Sequence, residues 1–206
     1  VLKLFIMENK MKLFQEELFN IPNYIAEHNK VLSKLDVDSL QEAIDMVMDA
    51  FQRGVKIITC GNGGSASTAS HYITDWAKMA HLATGEKFRG FSLVDNIGLV
   101  TAYGNDLSYD DVFSGQCAAL LDKGDLLVVV SGSGNSPNIV KAVNEANKIG
   151  ADTLAILGYD GGAVLKVANK TFLVPSFDMQ VCEDIHLMFG HMVMKTLCGS
   201  SIRGVF

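Results

Sequence analysis

VKIITCGNGGSASTASH, residues 55–71, joins a short apolar, β-branched run to a Gly/Ser-rich turn and then to a segment with helical spacing. An apolar run of this length that stops at a glycine reads as a buried strand. Gly61, Gly63 and Gly64 let the chain turn tightly and let its backbone approach a ligand, while Ser65 and Ser67 offer hydroxyls. The helix that follows turns free N–H groups and the positive end of its dipole toward the same point, which suits an anion. Outward along the chain the arrangement recurs. LLVVVS at 126–131 runs into GSGNSP at 132–137, where Ser136 stands as an N-cap and Pro137 takes the first helical position.

Between and beyond these two units the pattern alternates. Val55–Cys60, Gly90–Val94, Leu126–Ser131, Thr153–Leu157 and Thr171–Val174 are short β-rich runs. Helical spacing separates them, as in Ile139, Val140, Val143, Ala146 and Ile149, closed by Gly150. Strands alternating with helices predict an α/β fold with a parallel sheet covered on both faces. Right-handed crossovers favour a doubly wound sheet of about five strands, expected in the flavodoxin-like order 2-1-3-4-5. In that order the first and third strands flank the switch point, so both serine-bearing loops meet in one crevice.

Two helices precede the sheet. One spans about 10–28 with Leu13, Phe14, Leu18 and Ile21 on one face. The other is expected to open on a capping box, Ser39 with Glu42, to bury Leu40, Ile44, Val47, Met48 and Phe51, and to end at Gly54. A last helix runs from about Gln180 to Leu197. The expected organisation is one domain over 1–206, with a helical extension at about 10–53 and an α/β core from 54 that includes the final helix.

At 206 residues, 49% hydrophobic and 19% charged, the chain can bury a proper core. Its net charge of −6 argues against a nucleic-acid binder, which would show a basic face. Cys60, Cys117, Cys182 and Cys198 form no C-x-x-C pair and read as buried, reduced thiols. No stretch approaches the roughly 20 apolar residues of a membrane span. The opening VLKLFI is too short for a signal peptide, Met7 reads as the initiator, and the cytoplasm is the expected location.

A dinucleotide reading competes at the first loop, because Gly61-x-Gly63-x-x-Ala66 follows a strand. The first acid at the end of a second strand, Asp95, lies far beyond the expected spacing of about 20 residues. The second serine loop also has no role in that scheme. A phosphate is therefore the expected ligand, with no nucleotide cofactor.

Taken together, CGNGGSASTASH at 60–71, Asp95, GNDLSYDDVFSGQ at 104–116, SGSGNSPNIVKA at 131–142 and EDIHLMFGH at 183–191 resemble the SIS (sugar isomerase) domain family, and within it the phosphoheptose isomerases. The likeness spans the chain from about residue 10. It implies a phosphosugar aldose–ketose isomerase that converts sedoheptulose 7-phosphate through an enediol, in heptose synthesis for surface polysaccharide. It implies substrate binding by Asn62, Gly63, Ser65, Asp95, Ser131, Ser133 and Ser136. Asp75 falls where the family has a glutamate base, His191 on its general acid, and Glu183 on a glutamine. The resemblance further implies zinc or another divalent metal on His71, Asp75, Glu183 and His191, and a homotetramer; from the charge and the lack of a span, no nucleic-acid or membrane partner is expected. Relatives that bind phosphosugars without turnover, or that serve a bacterial replication initiator as adaptors, supply the non-catalytic alternative. A phosphosugar lyase or etherase is a third.

The residues agree in part by themselves. His71 and Asp75 stand i, i+4 on the helix leaving the first loop, so they share a face and can chelate a metal or form an acid/base pair. Glu183 and His191 are eight residues apart, a helical rise of roughly 12 Å, so they share one metal only if the helix start is irregular. His186 competes as a ligand but points elsewhere. Met79 stands where the family commonly has a sugar-contacting arginine, with Lys78 adjacent. Leu187, Met188, Val193, Met194 and Leu197 form an apolar stripe on the final helix that suits either core or a subunit interface.

Overall fold

The computed structural model describes residues 20–199, in two compact units that divide after Lys34. In the first, helix α1 (Ile21–Leu32) begins at Asn20, whose side-chain oxygen accepts from Asn23 N–H, with Pro22 in its first turn. The expected helical residues 10–19 lie outside the described residues, and the described helix continues past His28 to Leu32.

The second unit begins with α2 (Val37–Arg53), β1 (Ile57–Gly61), α3 (Gly64–Thr84), β2 (Gly90–Ser92), α4 (Ile97–Asp106) and α5 (Ser114–Leu120). It continues with β3 (Leu126–Ser131), α6 (Pro137–Ile149), β4 (Asp152–Leu157), β5 (Lys170–Leu173) and α7 (Met179–Cys198). The five strands are all parallel, as the alternating pattern predicts, and stand in the expected doubly wound order β2-β1-β3-β4-β5. Every residue of β1 and β3 is buried, because helices cover both faces. Strand alternation sorts the side chains. Ile58, Cys60, Leu127, Val129, Ala155 and Leu157 meet Cys117 of α5 and Ile139, Ala142 and Val143 of α6. On the other face Thr59 donates to the Ala69 carbonyl of α3 (2.7 Å), and Phe172 stacks on Phe189 of α7. The four cysteines are free and buried, and burial pushes the Cys117 thiol up to about 12. Among the described residues no helix is long and apolar enough to cross a membrane.

One local expectation is corrected. The start of α2 is capped by Asp36, whose Oδ1 accepts from Asp38 and Ser39 N–H (3.1 and 3.2 Å). Ser39 is already inside the helix and donates to the Thr171 carbonyl, and Glu42 pairs with Lys170 at 2.7 Å. The side chains of the supposed box serve β5 instead, because packing against the sheet offers them tertiary partners. The stop at Gly54 is as expected, with φ 66° and N–H bonds to Ala50 and Phe51.

The packing that matters most for the site joins α3 to α7. Tyr72 Oη donates to the His186 carbonyl (2.5 Å) and Trp76 Nε1 to the Gly190 carbonyl (2.9 Å), all buried. The two rings stack with centroids 4.8 Å apart, and Phe189 lies against Tyr72. Gly190 makes this approach possible, since a Cβ there would collide with the Tyr72 ring. In the apolar stripe of α7, Val193 and Leu197 are buried in this unit, while Leu187, Met188 and Met194 are half-buried. Gly190→Ala is expected to force the helices apart and to lower stability by about 2 kcal/mol, the usual cost of overpacking a dense core. A urea midpoint equal to that of the parent protein would refute the account.

Candidate active site

The ends of β1 and β3 are neighbours in the sheet, so the loops that leave them open into one crevice at the switch point. A cavity of about 280 Å³ lies there, lined by Asn62, Gly63 and Ser65 from the first loop and Ser131, Ser133 and Ser136 from the second. These are six of the seven residues expected to bind substrate. Ser136 occupies the N-cap of α6, yet its hydroxyl makes no capping bond and so remains available to a ligand. Ser131 Oγ accepts from Gly134 N–H (3.1 Å), and Ser133 Oγ from Asn135 N–H (3.3 Å). Gly134 has φ 63°, and a Cβ on it would run into the Gly161 carbonyl, so the second loop is held against the turn after β4.

The two loops are tied directly. Asn62 Nδ2 donates to Asn138 Oδ1 at 2.8 Å, and Asn138 Nδ2 returns a bond to Asn62 Oδ1 at 2.9 Å. Tyr109 Oη adds a third bond to Asn62 Oδ1 at 3.0 Å. The segment carrying Tyr109 is anchored by Lys141 on Asp111 (2.8 Å), and that lysine holds the Asp111 carboxyl below its ordinary range. Sequence reasoning missed Asn138 and Tyr109. Asn138 was legible only as the residue after Pro137, and nothing in one dimension pairs it with Asn62.

Asp95, the seventh expected residue, does not line this cavity. It follows β2 and accepts from Ser70 Oγ at 2.6 Å, beside His71.

The histidine cluster lies further along α3. His71 Nε2 is 3.3 Å from Asp75 Oδ2 and 3.3 Å from His191 Nε2, and His191 Nε2 is 3.8 Å from the same carboxylate oxygen. The α3–α7 contact brings His191 over to the i, i+4 pair on α3. Asp75 therefore reaches both histidines despite being one methylene shorter than glutamate. Metal–nitrogen bonds of 2.0–2.1 Å imply tetrahedral ligand separations of about 3.3 Å, so the donor set fits a zinc-like ion. Among the described residues this is the group of three candidate ligands whose atoms lie within 4.8 Å of one another.

Glu183 stands apart from that group. It lines the serine-loop cavity, and its carboxylate lies flat against Gly64, so that a Cβ there would sit 2.7 Å from Oε2. Met79 is buried, whereas Lys78 is exposed on the same helix. His186 is fully buried, and neither ring nitrogen has a hydrogen-bond partner. Burial lowers its pKa to about 4. It is a core histidine.

The SIS domain family matches residues 23–158 of the chain. A phosphoheptose isomerase from Campylobacter concisus is 35% identical over 179 residues, covering 86% of this chain and 94% of that relative. Solved phosphoheptose isomerases are similar in fold. One from Francisella tularensis superposes with TM-score 0.80 at 25% identity, covering 86% of this chain and 95% of that one. One from Neisseria gonorrhoeae does so with TM-score 0.79 at 28% identity, covering 86% and 96%.

The buried imidazole sets an acid limit on the fold. Its pKa of about 4 in the folded chain lies below the ordinary value near 6.5, so across that window the unfolded chain binds a proton that the folded one refuses. Stability from this group is therefore full above about pH 6.5 and falls as pH drops toward 4, by about 3 kcal/mol in all. His186→Met is expected to flatten that slope, read from urea midpoints at pH 7, 5.5 and 4.5. Parallel slopes for the variant and its parent would rule the histidine out as the cause.

Proposed function

The chain belongs to the SIS domain family, and from that premise we propose that it is a phosphosugar isomerase acting on sedoheptulose 7-phosphate. One observation carries the reading: a phosphate-suited cavity and an acid/base cluster stand on the same helix, a sugar's length apart. Ser65 lines the cavity and His71, six residues on along α3, belongs to the cluster, a rise of about 9 Å. An extended seven-carbon chain spans roughly 7.5 Å between its ends, given bonds near 1.5 Å. A sugar held by its terminal phosphate can thus present its carbonyl end to His71, Asp75 and His191.

Phosphate binding falls to the second loop. The Ser131, Ser133 and Ser136 hydroxyls and the N-terminus of α6 supply neutral donors and a positive dipole end. Asn62, held by Asn138 and Tyr109, presents a fixed amide beside them. Asp95, oriented by Ser70, is a candidate acceptor for sugar hydroxyls.

Isomerisation moves one proton between adjacent carbons and one between their oxygens. In this reading Asp75 takes the proton from the carbon next to the carbonyl and returns it to the former carbonyl carbon. His191 protonates the carbonyl oxygen and recovers a proton from the neighbouring hydroxyl. Both histidine contacts engage Asp75 Oδ2, which leaves Oδ1 for the carbon-bound proton. Alternatively, His71, Asp75 and His191 would hold a divalent metal, which would polarise the sugar oxygens in place of the free acid/base roles of Asp75 and His191. A cytoplasmic homotetramer belongs to the same proposal, and its mass in solution by light scattering is the check.

Purified protein is expected to convert sedoheptulose 7-phosphate to the aldose. Ser133→Ala with Ser136→Ala should weaken phosphosugar binding by about 3 kcal/mol, from the loss of two or three hydrogen bonds to a charged group. Unchanged affinity in the folded double variant would overturn the phosphate assignment. Binding without turnover would point instead to a non-catalytic phosphosugar module. Protein purified without chelator should carry a metal that His71→Ala loses, and metal-free protein that stays fully active in chelator would leave only the acid/base role.

A further inference from the structure

The turn after β4 carries a side chain with no part in the chemistry so far. Tyr159 has φ 53° and is the single non-glycine residue at positive φ among the described residues. It is the second residue of a turn closed by Gly161 N–H on the Gly158 carbonyl at 2.9 Å. Positive φ at such a position ordinarily belongs to glycine, and a larger residue there is strained. Neighbouring bonds hold the strain in place. Gly158 N–H donates to the Gly132 carbonyl (3.0 Å), Val164 N–H to the Gly134 carbonyl (3.0 Å), and Ala163 N–H to Asn135 Oδ1 (3.0 Å). Tyr159 N–H donates to the Ser176 carbonyl (2.9 Å). None of these bonds needs a side chain at 159. Glycine would build the same turn without strain, so the turn does not account for a tyrosine.

The cavity does. Tyr159 lines it, together with Met179 and the serine loop. The Tyr159 ring stacks on Phe177, with centroids 5.5 Å apart and planes 12° from parallel. Phe177 is 78% exposed and Met179 49%, so apolar surface stands open next to hydroxyl and amide groups. A ligand that fits such a lining has a polar, phosphorylated end and a face of C–H bonds.

We propose that Tyr159 is a substrate-binding residue: its ring, backed by Phe177, packs on the C–H face of the sugar chain while the second loop holds the phosphate. The proposal rests on the phosphosugar reading and is tested apart from it by comparing two ligands, sedoheptulose 7-phosphate and inorganic phosphate. In calorimetry, Tyr159→Gly should weaken the phosphosugar about tenfold, the scale of a lost apolar contact, and leave inorganic phosphate unchanged. Tyr159→Phe should match the parent protein with both ligands. Parent-like phosphosugar affinity in Tyr159→Gly would overturn the proposal. So would equal losses for both ligands, which mark a purely structural turn, or a loss in Tyr159→Phe as large as in Tyr159→Gly, which assigns the effect to the hydroxyl. A parent protein that binds neither ligand would bring down the phosphosugar reading itself, and this proposal with it.

Discussion

Two ring donors on α3 bond to main-chain carbonyls of α7, and the His71–Asp75–His191 cluster depends on that contact. A carbonyl inside a helix already accepts one bond, but its second lone pair can take another if a donor reaches it. Tyr72 and Trp76 reach it because position 190 has no side chain. The bonds are buried, where an unmade partner is costly, so the two helices are fixed in register as well as in distance. His71 and Asp75 neighbour Tyr72 and Trp76 on α3, and His191 follows Gly190 on α7. The same register that satisfies the ring donors brings the three candidate ligands together.

The serine-loop crevice rests on a different constraint. Parallel strands end side by side, and in this strand order the loops after β1 and β3 leave toward one crevice. Proximity alone would leave two flexible, glycine-bearing loops. The reciprocal amide pair between Asn62 and Asn138 ties them, with both amides satisfied by each other and Tyr109 adding to Asn62. The turn after β4 braces the second loop from its far side. Few charged groups take part. Glu183 is the exception among the cavity's residues, and its carboxylate lies at the start of α3, where the helix dipole favours a negative charge.

The alternation of strands and helices and both loops were legible in the chain because they depend on local chemistry, and the parallel doubly wound order followed from that alternation. Apolar β-branched runs, glycines at turns and proline after an N-cap carry their meaning within a few residues. The i, i+4 placement of His71 and Asp75 was legible for the same reason. The opening of α2 was misread where local rules competed: Ser39 and Glu42 satisfy the capping-box pattern, but Asp36 takes the cap and β5 takes their side chains. Local pattern does not reveal which tertiary partners are within reach.

By itself, then, the sequence determined the fold class, the two serine loops at the switch point, and the pairing of an imidazole with a carboxylate on α3. Tertiary structure decided which distant groups joined them. It set His191 beside that pair while leaving Glu183 in the cavity, since both lie on α7 but a straight helix separates them by about 12 Å. It also placed Asn138 against Asn62 and turned Tyr159 into the cavity wall. Those choices depend on contacts between residues dozens of positions apart, and only packing of the whole chain brings such residues within hydrogen-bonding distance.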